Sequence, residues 1–86
     1  MPTFRKKPAV VEAVQFTRDN MNRVFNQLTG AFAADVEDGR PILKVQTIHG
    51  ETAVVRLGDW IVSEPELGKY YPVKPDIFEQ TYEPAE

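Results

Sequence analysis

Short apolar runs separated by glycine- and proline-bearing turns constrain this chain more than any other feature of its sequence. Asp38-Gly39, His49-Gly50, Gly58-Asp59 and Pro65-Glu66-Leu67-Gly68 interrupt it at close intervals. Glycine supplies the positive φ that tight turns need, and aspartate can bond its own local backbone. Too little chain remains between these turns for helices of useful length, so the second half reads as β-strands. Ile42 to Ile48 alternates loosely, Thr52 to Leu57 places Ala53, Val55 and Leu57 on one side, and together they read as a hairpin. Trp60-Ile61-Val62 and Lys69 to Val73 read as further strands, the second at a sheet edge because Pro72 cannot donate to a ladder. Lys74-Pro75-Asp76 reads as a turn or a single helical turn, with Ile77, Phe78 and Tyr82 anchoring the C-terminal stretch.

The first half supplies one strand and one helix. Val10 to Phe16 puts Val10, Val14 and Phe16 on one face and Val11 and Ala13 on the other, as a central strand requires. Thr17 to Leu28 carries Met21, Val24, Phe25 and Leu28 at helical spacing, with Thr17 or Asp19 able to cap its start and Gly30 suited to follow its end. Ala31 to Val36 can add a short strand before Asp38-Gly39. Strands in a run with a segregated helix indicate an α+β fold. The expectation is one curved, mostly antiparallel sheet of five or six strands, closing part-way into a barrel in the limit. The helix would pack on one side.

The chain has 86 residues and reads as a single domain, 1–86. A domain of this size buries only about 60–65% of its unfolded surface, which favours pairing with another copy. We therefore expect a homo-oligomer, most simply a dimer, with the proline-bearing edge at Tyr70 to Val73 either blunted by that proline or covered by a second chain. There are no cysteines, so thiolate metal sites and cysteine nucleophiles are excluded, and a reducing compartment is expected. No apolar run approaches the ~20 residues needed to cross a bilayer as a helix, and Arg5-Lys6-Lys7 is followed by Pro8 rather than by a signal-peptide core. Net charge is −3; residues 1–44 carry seven Lys/Arg against five Asp/Glu, and residues 45–86 carry three against eight. An acidic chain is a poor general binder of phosphate backbones, and Arg5-Lys6-Lys7, read as a solvated N-terminal arm, is too short to change that.

Several segments are familiar as a set. Phe4 to Pro8 (FRKKP), Val10 to Phe16 (VVEAVQF), Gly58 to Ile61 (GDWI) and Lys74 to Glu83 (KPDIFEQTYE) resemble a group of small phage and prophage proteins of unknown function. The resemblance covers both ends of the chain and leaves residues 30–56 divergent. It implies expression in the cytoplasm of an infected bacterium and supplies no active-site residues.

Candidate chemistry is sparse. His49 is the single histidine and sits at a hairpin tip with no orienting partner in its motif, so it reads as a turn residue rather than a general base. Asp35, Glu37 and Asp38 lack the spacing of a calcium loop and read as a solvated loop. Gly58-Asp59 lacks the glycine run and Lys-Ser/Thr of a phosphate loop and reads as a capped turn. We expect no catalytic residues, no metal site and no cofactor. The arrangement with most to offer is Arg56, Trp60, Tyr70 and Lys74, against the reading of these aromatics as core or rim mass, which a small β-rich domain favours. An aromatic face with flanking cations can hold a phosphate-bearing ring or an acidic protein loop. Strand alternation puts Tyr70, Pro72 and Lys74 on one face, toward a partner, and Tyr71 and Val73 on the other, toward the core. The functional expectation is a non-enzymatic binding protein that sequesters a nucleotide-type host-defence signal. The alternative is a protein–protein module, either an inhibitor of a host enzyme or an assembly component.

Overall fold

The computed structural model describes residues 3–6, 9–29 and 32–84. Its elements run β1 (Thr3–Lys6), β2 (Ala9–Gln15), α1 (Met21–Gln27), β3 (Phe32–Glu37), β4 (Arg40–Gln46), β5 (Thr52–Arg56), β6 (Trp60–Ser63), β7 (Tyr70–Val73), α2 (Pro75–Thr81) and β8 (Tyr82–Pro84). The α+β class is as expected and every strand pairing is antiparallel. The single sheet is not. Among the described residues there are two sheets, one of five strands in the order β7-β6-β2-β1-β8 and one of three in the order β3-β4-β5. Neither closes into a barrel there, and the described residues form two helices rather than one.

The two-faced pattern of β2 accounts for this layering. Val14 and Phe16 point into one cluster with Ile61, Tyr70, Val24, Leu28, Leu43, Val45 and Val55. Here α1 and the three-stranded sheet cover one face of the five-stranded sheet. Ala13 points the other way, into a second cluster with Val62, Phe78 and Tyr82 beneath α2. β2 is the middle strand of five, as its two apolar faces require. Phe16, Val24, Leu43, Val45, Val55, Ile61 and Val62 are fully buried, and each large aliphatic side chain so placed contributes about 1.5–3 kcal/mol.

α1 starts four residues later than the sequence suggests. Asn20 folds back, its Oδ1 accepting the Thr17 N–H at 2.9 Å and its Nδ2 donating to the Gln15 carbonyl at 2.6 Å. These bonds make residues 17–20 a turn, and neither Thr17 nor Asp19 caps the helix. Gly30, expected just beyond the helix, lies outside the described residues. The N-terminal segment, expected to be an arm, forms β1, which pairs with both β2 and β8. In α2, Pro75 occupies the first helical turn, where its missing N–H costs nothing. Phe78 and Tyr82 are buried anchors, whereas Ile77 is half exposed and anchors nothing.

Candidate functional site

Three of the four expected site residues meet around the Gly58-Asp59 turn. Gly58 has φ 93°, and the Asp59 carboxylate, almost fully buried, accepts the Arg56 N–H at 3.0 Å through Oδ2. β2 locks the same turn: the Gly58 N–H donates to the Phe16 carbonyl at 2.7 Å and the Phe16 N–H to the Asp59 carbonyl at 2.9 Å. Lys74 Nζ lies 3.6 Å from Asp59 Oδ1. The capped-turn reading of Gly58-Asp59 therefore holds, and Asp59 holds both strands of the turn and the entry to α2.

The side chains do not form one binding face. Arg56 reaches across the three-stranded sheet to Glu37, with Nε to Oε1 at 2.8 Å and Nη2 to Oε2 at 3.1 Å, a two-point fork. That bond raises the Arg56 pKa and lowers that of Glu37. Asp35 pairs with Lys44 at 3.2 Å and accepts the Val36 N–H, which holds its carboxyl below the ordinary range. Trp60 lies on the opposite side of the five-stranded sheet, stacked on Phe78 with ring centroids 4.1 Å apart and planes 5° from parallel. Phe78 stacks in turn on Tyr82 at 4.6 Å. The Tyr82 hydroxyl shares a 2.6 Å bond with that of Tyr71, whose pKa is raised by burial and then by that bond.

Tyr70 corrects the expectation most sharply. It is 5% exposed, inside the cluster between the sheets, and its hydroxyl accepts the Thr29 N–H at 2.8 Å. The alternation of β7 is as expected, but the three-stranded sheet covers the Tyr70 face while α2 covers the Tyr71 face. Strand alternation separates two faces without saying whether either meets solvent. His49 is exposed in the β4–β5 turn.

A different feature stands out in the β6–β7 loop. The Glu64 N–H donates to the Lys69 carbonyl at 2.9 Å and the Lys69 N–H to the Glu66 carbonyl at 3.2 Å. Gly68, with φ 82°, fits the third position of a type II turn over residues 66–69. That turn pushes Leu67 outward until it is 86% exposed. Beneath it lies a cleft of about 290 Å³, lined by Glu12, Glu64, Glu66 and Lys69 among other residues, with Gln27 and Tyr70 also in its wall. Among the described residues no ion pair engages Glu12, Glu64, Glu66 or Lys69. Glu64 Oε2 accepts the Ile48 N–H at 3.3 Å, tying this loop to the β4–β5 turn. The sequence signal for the feature was present: a leucine between glutamate and glycine in a turn, where no strand or helix could bury it.

Comparison with known proteins finds no family model, no curated protein and no solved structure that matches this chain.

Proposed function

We propose that this chain is a non-enzymatic docking module that seats a basic, partly apolar segment of a partner protein in the cleft under the Glu64–Lys69 loop. The observation that carries this reading is Leu67, held almost fully exposed beside three carboxylates and one lysine. An exposed large apolar side chain on a rigid turn is a natural contact for a partner's apolar side chain. The surrounding carboxylates favour Lys or Arg next to it and disfavour phosphate. Cleft size points the same way. At about 290 Å³ it lies at the bottom of the range for small-molecule pockets. The resemblance of both chain ends to small phage proteins would put the module in an infected bacterium, with a host or virion protein as its partner.

Sequestration of a nucleotide-type signal is the competing reading. It is weakened by the commitment of Arg56 to Glu37 and Lys74 to Asp59, and by burial of Tyr70. Amide chemical-shift titration separates the two. A short peptide alternating lysine and leucine is expected to move signals from residues 64–69 and Gln27, with the response lost in a Leu67→Asp, Glu66→Lys double variant. A nucleotide that instead moves Arg56, Trp60 and Lys74, with the peptide silent, would overturn the docking reading.

A further inference from the structure

The two sheets expose four edge strands, β7 and β8 on one and β3 and β5 on the other. An unpaired edge offers backbone N–H and C=O groups to another strand. At β7 the Glu64–Lys69 bond sets the alternation. Pairs 62/71 and 60/73 are then the hydrogen-bonded ones, so the backbone of Tyr70 and Pro72 faces outward. Pro72 has no N–H, which removes a donor from that edge. Of the two readings of that edge, blunted by its proline or covered by a second chain, this favours the first.

β3 differs. Its hairpin with β4 turns through Asp38 at φ 51° and Gly39 at φ 75°, the two positive values of a type I′ turn. In such a hairpin the flanking pair Glu37/Arg40 is hydrogen-bonded, and alternation makes Asp35/Ile42 and Ala33/Lys44 bonded as well. The backbones of Phe32, Ala34 and Val36 then face outward. Two observations agree. Pro41, opposite Val36, has no N–H to give, and the Val36 N–H is held instead by Asp35 Oδ1 at 2.7 Å. The side chains of these residues share the face of Val45, Leu43 and Pro41, their partners on β4. Ala34 and Val36 nevertheless remain exposed, Val36 at 65%.

We propose that β3 pairs antiparallel with β3 of a second copy of this chain, about a two-fold axis at Ala34, joining two three-stranded sheets into one of six. In this register Ala34 faces Ala34, Phe32 of each copy faces Val36 of the other, and Ala33 faces Asp35. Ala34 exchanges two bonds with its counterpart, and the Phe32 N–H reaches the Val36 carbonyl in both directions. Asp35 holds the Val36 N–H, so the Phe32 carbonyl of the other copy gains no bond there, and four inter-chain bonds form rather than six. Each Asp35 keeps its Lys44 partner. The neighbouring registers are worse. Centring on Asp35 sets two carboxylates directly opposite each other, which destabilises a sheet. Centring on Val36 loses both bonds of its central pair to the Asp35 caps and, unlike the Ala34 register, runs Ala34 against the Asp38 turn. Centring on Ala33 leaves Val36 beyond the span of β3. The chosen register also brings exposed Val36 beside partly buried Phe32, which packs on the main cluster and lies 6.2 Å from the Phe25 ring. The isologous contact extends that core across the axis.

Sedimentation velocity of the full chain, from low micromolar to near-millimolar concentration, tests the pairing. A dimer that grows with concentration is expected. Val36→Lys, at an exposed position, is expected to weaken association at least about tenfold, because it sets a charge against Phe32 of the other copy, with an unchanged thermal melt at concentrations where the parent is monomeric. Ala34→Pro removes an outward N–H and is expected to act in the same direction. Leu67→Asp is expected to leave the association constant unchanged, so failure here and failure of the cleft reading are distinguishable. A monomer across the whole range, or a dimer that Val36→Lys does not weaken, would overturn the proposal.

Discussion

Tyr70 offers the sharpest test of the two-sheet core, because its ring and its hydroxyl have separable effects. The ring is 5% exposed between the sheets, and the hydroxyl accepts the Thr29 N–H at 2.8 Å and lies 3.3 Å from Thr29 Oγ1. Tyr70→Phe keeps the ring and leaves the Thr29 N–H without that acceptor. Thr29 is exposed, so water can replace the hydroxyl, and the loss falls near the ordinary net value of about 1 kcal/mol. In a domain this small that corresponds to a fall in Tm of about 4–8 °C. Tyr70→Ala also empties the volume of the ring, at a cost of about 3–5 kcal/mol. At about 0.05–0.15 kcal/mol per residue the whole fold is worth only about 4–13 kcal/mol. The alanine variant should therefore be largely unfolded or melt far below the parent. Thermal circular dichroism of the three proteins makes the measurement. If both variants melt with the parent, Tyr70 does not hold the sheets together, and its reading as a partner-facing residue returns.

The second cluster supplies two more predictions. Phe78→Ala removes the ring between Trp60 and Tyr82 and is expected to cost about 3–5 kcal/mol. It should also shift Trp60 fluorescence toward that of a hydrated indole; an unchanged emission and melt would mean that α2 is not held by this stack. Tyr71 has a folded-state pKa raised by burial and by its bond to Tyr82, above the unfolded value of about 10. Its contribution is fully present below about pH 10 and declines as pH rises beyond that, because the unfolded chain ionises first. The denaturant midpoint is expected to fall across that range, and less steeply in Tyr71→Phe. Native-state absorbance showing every tyrosine ionising together near pH 10 would contradict this.

The sequence shows what each strand wants buried more clearly than what buries it. β2 carries apolar residues at both parities, so its central position and the existence of two packed faces follow directly. The Asp38-Gly39 turn and the β4–β5 hairpin follow from residue chemistry in the same way. β1 and β8 do not. Four residues reading Thr-Phe-Arg-Lys and three reading Tyr-Glu-Pro are too short to show a period; β1 becomes a strand through its pairing with β2 and β8, and β8 through its pairing with β1. Of α2 only the first turn is legible, for a related reason. Its seven residues bury only Phe78, and one apolar contact defines no stripe.

The same distinction governs the candidate site. Arg56 and Lys74 looked free because their carboxylate partners, Glu37 and Asp59, are brought to them by sheet register and by the turn into β6, neither of which a linear reading supplies. Tyr70 looked exposed because β7 is an edge strand, yet an edge strand is open only along its backbone. Both of its faces are covered here, by β4 and β5 on one side and α2 on the other. Leu67 required no such long-range knowledge. A leucine locked next to Gly68 in a two-bond turn has no strand or helix to carry it inward, so its exposure follows from local chemistry alone. In a chain with so little core, an apolar side chain held outside gives up burial worth about 1.5–3 kcal/mol. A partner that covers it would recover that free energy on binding, which is why the proposed docking face is centred on Leu67 rather than on the cations.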